Sequence, residues 1–205
     1  MGNCPDRLVS LAGDDKLVAV VANAMDAAPV DVRIEGVQRE LLALTALGFT
    51  AEEVDLRDHF IDSSLLAGKL RRYGVVWLRG GNAFMLRYAL ARSGADVELT
   101  RLLGEDAIVY SGYSAGPCVL APSLRGLETV DAPAAVSEVY GGEVIWDGLD
   151  VLGYAIVPHV DSPAHPESEG LGRVAEGYRA ANVPHRTLRD GEVLVINGDS
   201  SSICR

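Results

Sequence analysis

Short apolar runs alternate with longer stretches of helical periodicity along the 205-residue chain. Lys16 to Ala22 is a β-branched run that predicts a buried first strand. From Val32 to Leu47, Val37, Leu41 and Leu44 recur at helical spacing, and Gly48 stands where a C-terminal cap belongs. Thr50 to Leu56 alternates weakly and predicts a second strand, and Ser63 to Tyr73 a helix stopped by Gly74. Val75 to Leu78 reads as a third strand, Ala83 to Arg92 and Asp96 to Leu103 as helices, and Ala107 to Tyr110 as a fourth strand. The second half is less regular. Residues 123–143 mix their signals and predict loops with short strands. Val151 to Val157 predicts a strand stopped by Pro158, Glu167 to Asn182 a helix, and Glu192 to Ile196 a late strand.

Such alternation implies an α/β fold, with a mostly parallel sheet covered by helices on both faces. Repeats, low-complexity tracts and linkers are lacking in the sequence, so residues 1–205 read as one domain. Ligands of such sheets bind beyond the carboxyl ends of the strands. That rule selects the residues just after predicted strands: Gly80 to Asn82, Ser114 and His159.

Composition narrows the partners. Hydrophobic residues make up 48% and charged residues 23%, the balance of a soluble globular protein. A formal net charge of -11 repels phosphate backbones and argues against nucleic-acid binding. The sequence holds no uninterrupted apolar run long enough to span a membrane, and its first residues lack the basic-then-apolar pattern of a signal peptide. The cysteines, Cys4, Cys118 and Cys204, are widely spaced and odd in number, which fits a reducing cytoplasm better than a disulfide scaffold. Cys118 reads as a small buried side chain. Cysteine and histidine spacing suggests no metal site, and no cofactor is expected.

The chemistry centres on Gly112-Tyr113-Ser114-Ala115-Gly116, which follows the fourth strand and precedes a small-residue stretch of helical character, Ala115 to Ala121. Strand, sharp turn and helix are the context of a nucleophile elbow, and Ser114 is its candidate nucleophile. The same pentapeptide also reads as a glycine-rich turn whose serine caps the next helix. Gly80-Gly81 after the third strand allows backbone amides to face an anion. The Gly81 and Ala115 amides form a candidate oxyanion hole, and Asn82 either touches substrate or caps the helix that follows. Of the four histidines, His159 lies directly after a strand in a loop stiffened by Pro158 and Pro163, and is the preferred base. His59 lacks a supporting motif, His165 is a possible substrate contact, and His185 falls at the opposite edge of the sheet. Asp131, Asp161 and Asp190 are candidates for the acid that orients the imidazole; Asp161 is set aside by its closeness to His159 in sequence, and spacing leaves Asp131 and Asp190 level.

Gly-Gly-Asn at 80–82, Gly-Tyr-Ser-Ala-Gly at 112–116 and Pro-His at 158–159, in that order, resemble the aspartyl dipeptidase (peptidase E) and cyanophycinase family of serine peptidases. The resemblance implies a three-layer sandwich similar to class I glutamine amidotransferases, Ser114 as nucleophile, His159 as base, and the Gly81 and Ala115 amides as oxyanion hole. The family's acid lies in a turn ahead of a late strand, where Asp190 stands; an aspartate near the position of Asp131 is the rival. Arg173 is similar in placement to a family specificity arginine, and otherwise reads as an exposed helix residue. The resulting expectation is a cytoplasmic dipeptidase or other exopeptidase acting on small peptides, some with N-terminal aspartate, with a homodimer allowed. Two rivals share the same sequence features: an α/β-hydrolase esterase, and a non-catalytic amidotransferase-like binding module.

Overall fold

The computed structural model describes residues 3–205. Its centre is a parallel sheet of order β2-β1-β3-β4, formed by β1 (Leu17–Val21), β2 (Thr50–Glu53), β3 (Val75–Leu78) and β4 (Val109–Gly112). Successive side chains of a strand point to opposite faces, and here both faces are buried. Ala19, Val21, Val76 and Leu78 pack with Leu86 and Leu90 of α4 (Ala83–Ser93) and Leu99 of α5 (Ala95–Gly104). Val18, Val20, Val75 and Trp77 pack with Leu8 and Ala12 of α1 (Pro5–Ala12) and Leu44 of α2 (Val30–Ala46). The result is the expected three-layer α/β sandwich.

The remaining helices are α3 (Leu66–Leu70), α6 (Ala115–Cys118), α7 (Ala135–Tyr140) and α8 (Ser168–Ala180). β5 (Ala155–Val157) pairs in parallel with β6 (His185–Thr187), and β7 (Val193–Asn197) with β8 (Ser200–Cys204) in an antiparallel hairpin.

Several boundaries differ from the sequence reading, each for a local reason. The helix expected over 63–73 shrinks to Leu66–Leu70 because the Asp62 carboxylate accepts from the Ser64 amide and holds a turn there. The strand expected from Val151 begins only at Ala155. The amides of Leu149 through Leu152 instead donate to the carbonyls of Val119, Leu120 and Ala121, which pins that stretch under the elbow helix. That helix itself, expected to Ala121, ends at Cys118. Residues 123–143 hold α7 and a 3-10 turn at Leu127–Thr129, and their one recorded strand contact is an isolated bridge from Ser123 to Asp147. The late strand is followed by a further one, β8, so Asp190 precedes a hairpin rather than the last strand.

The cysteines also depart from expectation. Cys4 and Cys204, 200 residues apart, form a disulfide with a Cα–Cα distance of 6.3 Å. Spacing argued against a bridge because nothing local announces one; the β7–β8 hairpin brings Cys204 back to the start of α1. Cys118 is buried, and its thiol points to the Ile156 carbonyl at 3.4 Å. Among the described residues, no helix is long and apolar enough to cross a membrane.

Candidate active site

The site is built at the carboxyl ends of β3, β4 and β5. After β4 the chain turns at Ser114, whose φ of 53° and ψ of -114° are unfavourable for a residue with a Cβ. Crowding forces that turn to be glycine-rich. A Cβ on Gly112 would lie 2.3 Å from the Leu78 carbonyl oxygen, and one on Gly116 would lie 2.7 Å from it. The strain is held by the Gly116 amide, which donates to the Tyr113 carbonyl at 3.0 Å, and by the Tyr110 hydroxyl, which donates to the Gly116 carbonyl at 2.7 Å. Tyr110 counts in the sequence only as an apolar strand residue; a tyrosine four residues before the elbow serine was the available signal.

The loop after β3 lies against the elbow. A Cβ on Gly80 would come within 2.7 Å of Ser114 Cβ, so the two loops touch. Gly81 (φ 148°) backs onto the Ala24 carbonyl, which accepts from the Asn82 amide at 2.9 Å. Neither the Gly81 nor the Ala115 amide donates to a backbone carbonyl among the described residues. Asn82 serves the fold with both ends of its side chain: its oxygen caps α4 by accepting from Phe84 and Met85, and its nitrogen donates to the Ala132 carbonyl at 2.9 Å.

His159 follows β5 in a left-handed conformation, φ 58°. Its Nδ1 lies 2.5 Å from Asp190 Oδ1. Asp190 is held in place from behind, its amide donating to Ser162 Oγ at 2.8 Å. A carboxylate at Nδ1 selects the tautomer that donates there and leaves Nε2 with its lone pair. The His165 ring stacks on that of His159, with centroids 3.6 Å apart and planes within 3°. This contact was not foreseen; the prolines at 163 and 166 tighten the loop enough to bring residue 165 back over residue 159. Among the described residues, His159 and Ser114 do not hydrogen-bond to each other in this arrangement.

Asp131 makes no hydrogen bond to the imidazole among the described residues. Its carboxylate accepts from the Ala83 amide at 2.8 Å, at the start of α4. Burial pushes its carboxyl up from 3.8 to about 6, against the lowering effect of that hydrogen bond. Because the folded protein holds this proton more tightly than the unfolded chain, stability falls as pH rises through the window from 3.8 to about 6. Asp131→Asn should remove that loss. In urea titrations the stability difference between variant and wild type is expected to grow in the variant's favour by roughly 3 kcal/mol across the window. A pH-independent difference would mean that the proton is held no more tightly in the folded state.

Asp161 pairs with Arg189 at 3.1 Å. Arg173 is largely exposed and pairs with Glu169 at 2.5 Å. Together with His165, Asp161 and Glu176 it lines an open cleft of about 620 Å³ beside the stacked imidazoles. A strained hydroxyl, two unengaged amides and a carboxylate-bound imidazole thus each follow the carboxyl end of a strand, the imidazole that of β5 in the separate β5–β6 pair.

The model of peptidase family S51 matches residues 11–204. An uncharacterized peptidase of Listeria innocua is 27% identical over 120 residues, 58% of this chain and 54% of that protein. An uncharacterized peptidase of Listeria monocytogenes is 26% identical over 125 residues, 61% of this chain and 58% of that protein. The matched stretch thus spans little more than half the length of these relatives. A crystal structure from Listeria monocytogenes, of a protein provisionally assigned as a peptidase E, superposes with a TM-score of 0.75 at 22% identity, covering 97% of this chain and 91% of the other. A peptidase from an acI-B1 actinobacterium gives a TM-score of 0.67 at 12% identity, covering 98% and 82%. At those identities the likeness speaks for the fold, and it is the three-layer fold described above. Because the family match runs from α1 to β8 and takes in every element that carries the site, the chain belongs to peptidase family S51.

Proposed function

We propose that this protein is a serine exopeptidase acting on small peptides, with Ser114 as nucleophile, His159 as base, Asp190 as the acid that orients it, and the Gly81 and Ala115 amides as oxyanion hole. The observation that carries this reading is the His159–Asp190 contact, made in the loop after β5, a strand that packs against the short helix opening at the strained Ser114. Ser114 Oγ attacks the scissile carbonyl and passes its proton to His159 Nε2. The tetrahedral oxyanion takes hydrogen bonds from the two amides, each worth about 3 kcal/mol at the transition state. His159 then protonates the leaving amine, and water, activated by the same imidazole, releases the acyl group. Hydrogen bonds between base and nucleophile are often long before substrate arrives and tighten in the Michaelis complex.

A preference for N-terminal aspartate would draw on Arg173 in the cleft beside His165, where a substrate carboxylate would replace Glu169 as partner. Asn82 contributes by fixing the loop that carries Gly81. The test is a fluorophosphonate probe together with a dipeptide panel. Labelling at Ser114 and hydrolysis of at least one dipeptide are expected; folded protein that takes up no probe and cleaves nothing would remove the peptidase reading.

A further inference from the structure

Behind the elbow, on the face of the sheet away from α4, one carboxylate holds three side chains. Gly36 and Glu40 are four residues apart in α2 and so share one face of that helix. Glu40 Oε1 accepts from the Tyr113 hydroxyl at 2.7 Å, and Oε2 accepts from Trp77 Nε1 at 2.9 Å. Arg79 Nε lies 3.6 Å from Oε1, with both side chains mostly buried. The Arg79 guanidinium fits because Gly36 has no side chain: a Cβ there would stand 2.7 Å from Nη2. Burial beside Glu40 holds the Tyr113 phenol protonated, so it acts as a donor.

The two donors and the guanidinium are not scattered. Tyr113 immediately precedes Ser114, Arg79 immediately precedes Gly80-Gly81, and Trp77 lies on β3 leading into that loop. Gly80 in turn leaves no room for a side chain between the loops: a Cβ there would stand 2.7 Å from Ser114 Cβ and 2.9 Å from the Tyr113 ring. The two loops therefore touch in front and are gripped from behind by one group on a separate helix. We propose that Glu40 is a positioning residue that fixes the Gly81 amide relative to Ser114 by holding Tyr113, the residue before Ser114, through a hydrogen bond and Arg79, two residues before Gly81, through an ion pair. This rests on the proposed function, in which those two groups act on the same carbonyl. Misplacing a reacting group by about 1 Å can cost on the order of 100-fold in rate.

Glu40→Gln keeps the size of the side chain but removes its charge. A neutral amide has one acceptor oxygen where two donors and a guanidinium converge. Two measurements test the proposal. In hydrogen exchange, segments 79–82 and 113–116 are expected to exchange faster together in Glu40→Gln, by about tenfold or more, while the His159–Asp190 loops stay at wild-type rates. In kinetics, kcat and the rate of fluorophosphonate labelling are expected to fall about 10- to 100-fold with KM within about threefold. Tyr113→Phe removes one donor and should shift both readouts the same way by a smaller factor; it also serves if Glu40→Gln does not fold. Exchange that rises only in α2, or evenly across the molecule, would reduce Glu40 to a packing residue and overturn the proposal. So would an unchanged kcat in an active enzyme. If the wild type proves inert towards peptides and probe, the peptidase reading fails, and the exchange pattern still decides whether Glu40 couples the two loops.

Discussion

Ser114→Ala is expected to lower kcat for dipeptide hydrolysis by roughly 10⁵- to 10⁶-fold, with KM nearly unchanged. The substitution removes the attacking oxygen and little else. Ser114 Cβ, which fills the space in front of Gly80, is retained, and alanine meets the same backbone strain at φ 53° that serine already meets. The thermal midpoint should therefore stay within about 2 °C of wild type, as for substitutions that create no cavity and orphan no buried group. The amides of Gly81 and Ala115 and the His159–Asp190 pair remain, so slow hydrolysis above the rate in water is expected to survive. Labelling by fluorophosphonate should vanish. A variant that keeps more than about 1% of kcat would show that another group attacks the carbonyl, since loss of a nucleophile costs far more than that.

Asp190→Asn carries the second large effect. Asparagine keeps the shape of the side chain but can present its NH₂ to Nδ1, which stabilises the tautomer whose Nε2 bears the proton and cannot act as base. In buried triads that exchange costs about 10⁴ in kcat. The Asp190 side chain is 46% exposed, so water screens part of its field and can support the imidazolium in its place. A loss of roughly 10³-fold is the expectation here, with KM little affected. Asp131→Asn is the paired control. That carboxylate caps α4 one residue beyond Asn82 and is not hydrogen-bonded to the imidazole, so its loss should cost no more than about tenfold, through the oxyanion loop. The opposite ranking of the two variants would move the acid role to Asp131.

Much of this site was legible in the sequence because its parts follow strands. β1 and β3 are short apolar runs buried on both faces, β4 is a half-buried strand that begins on Val109-Tyr110, and the ends of β3 and β4 mark the positions of Gly80 and Ser114. Local rules do not read contacts between distant segments. Spacing left Asp131 and Asp190 level because the choice depends on the turn after β6 reaching the loop after β5, a contact made by Ser162 and Leu188. Stacking of His165 on His159 needed the path of a proline-bounded loop. No motif or spacing singles out Glu40 in the sequence, and only the packing of α2 against β3 and the elbow shows that its partners are Trp77, Arg79 and Tyr113. The shortened strand before Ala155 has the same origin: residues 149–152 give their amides to the elbow helix and its exit rather than to a neighbouring strand.

With Cys4 and Cys204 joined, the denatured protein is a closed loop rather than an open string. In the chain-entropy picture a ring of this size denies the unfolded ensemble roughly 5 kcal/mol of freedom at about 25 °C. It also masks damage. A protease that severs an exposed bend such as the one around Pro163 leaves both fragments on a single covalent molecule, which migrates as one band until a thiol is added. Cleavage of this protein is therefore to be judged on reducing gels.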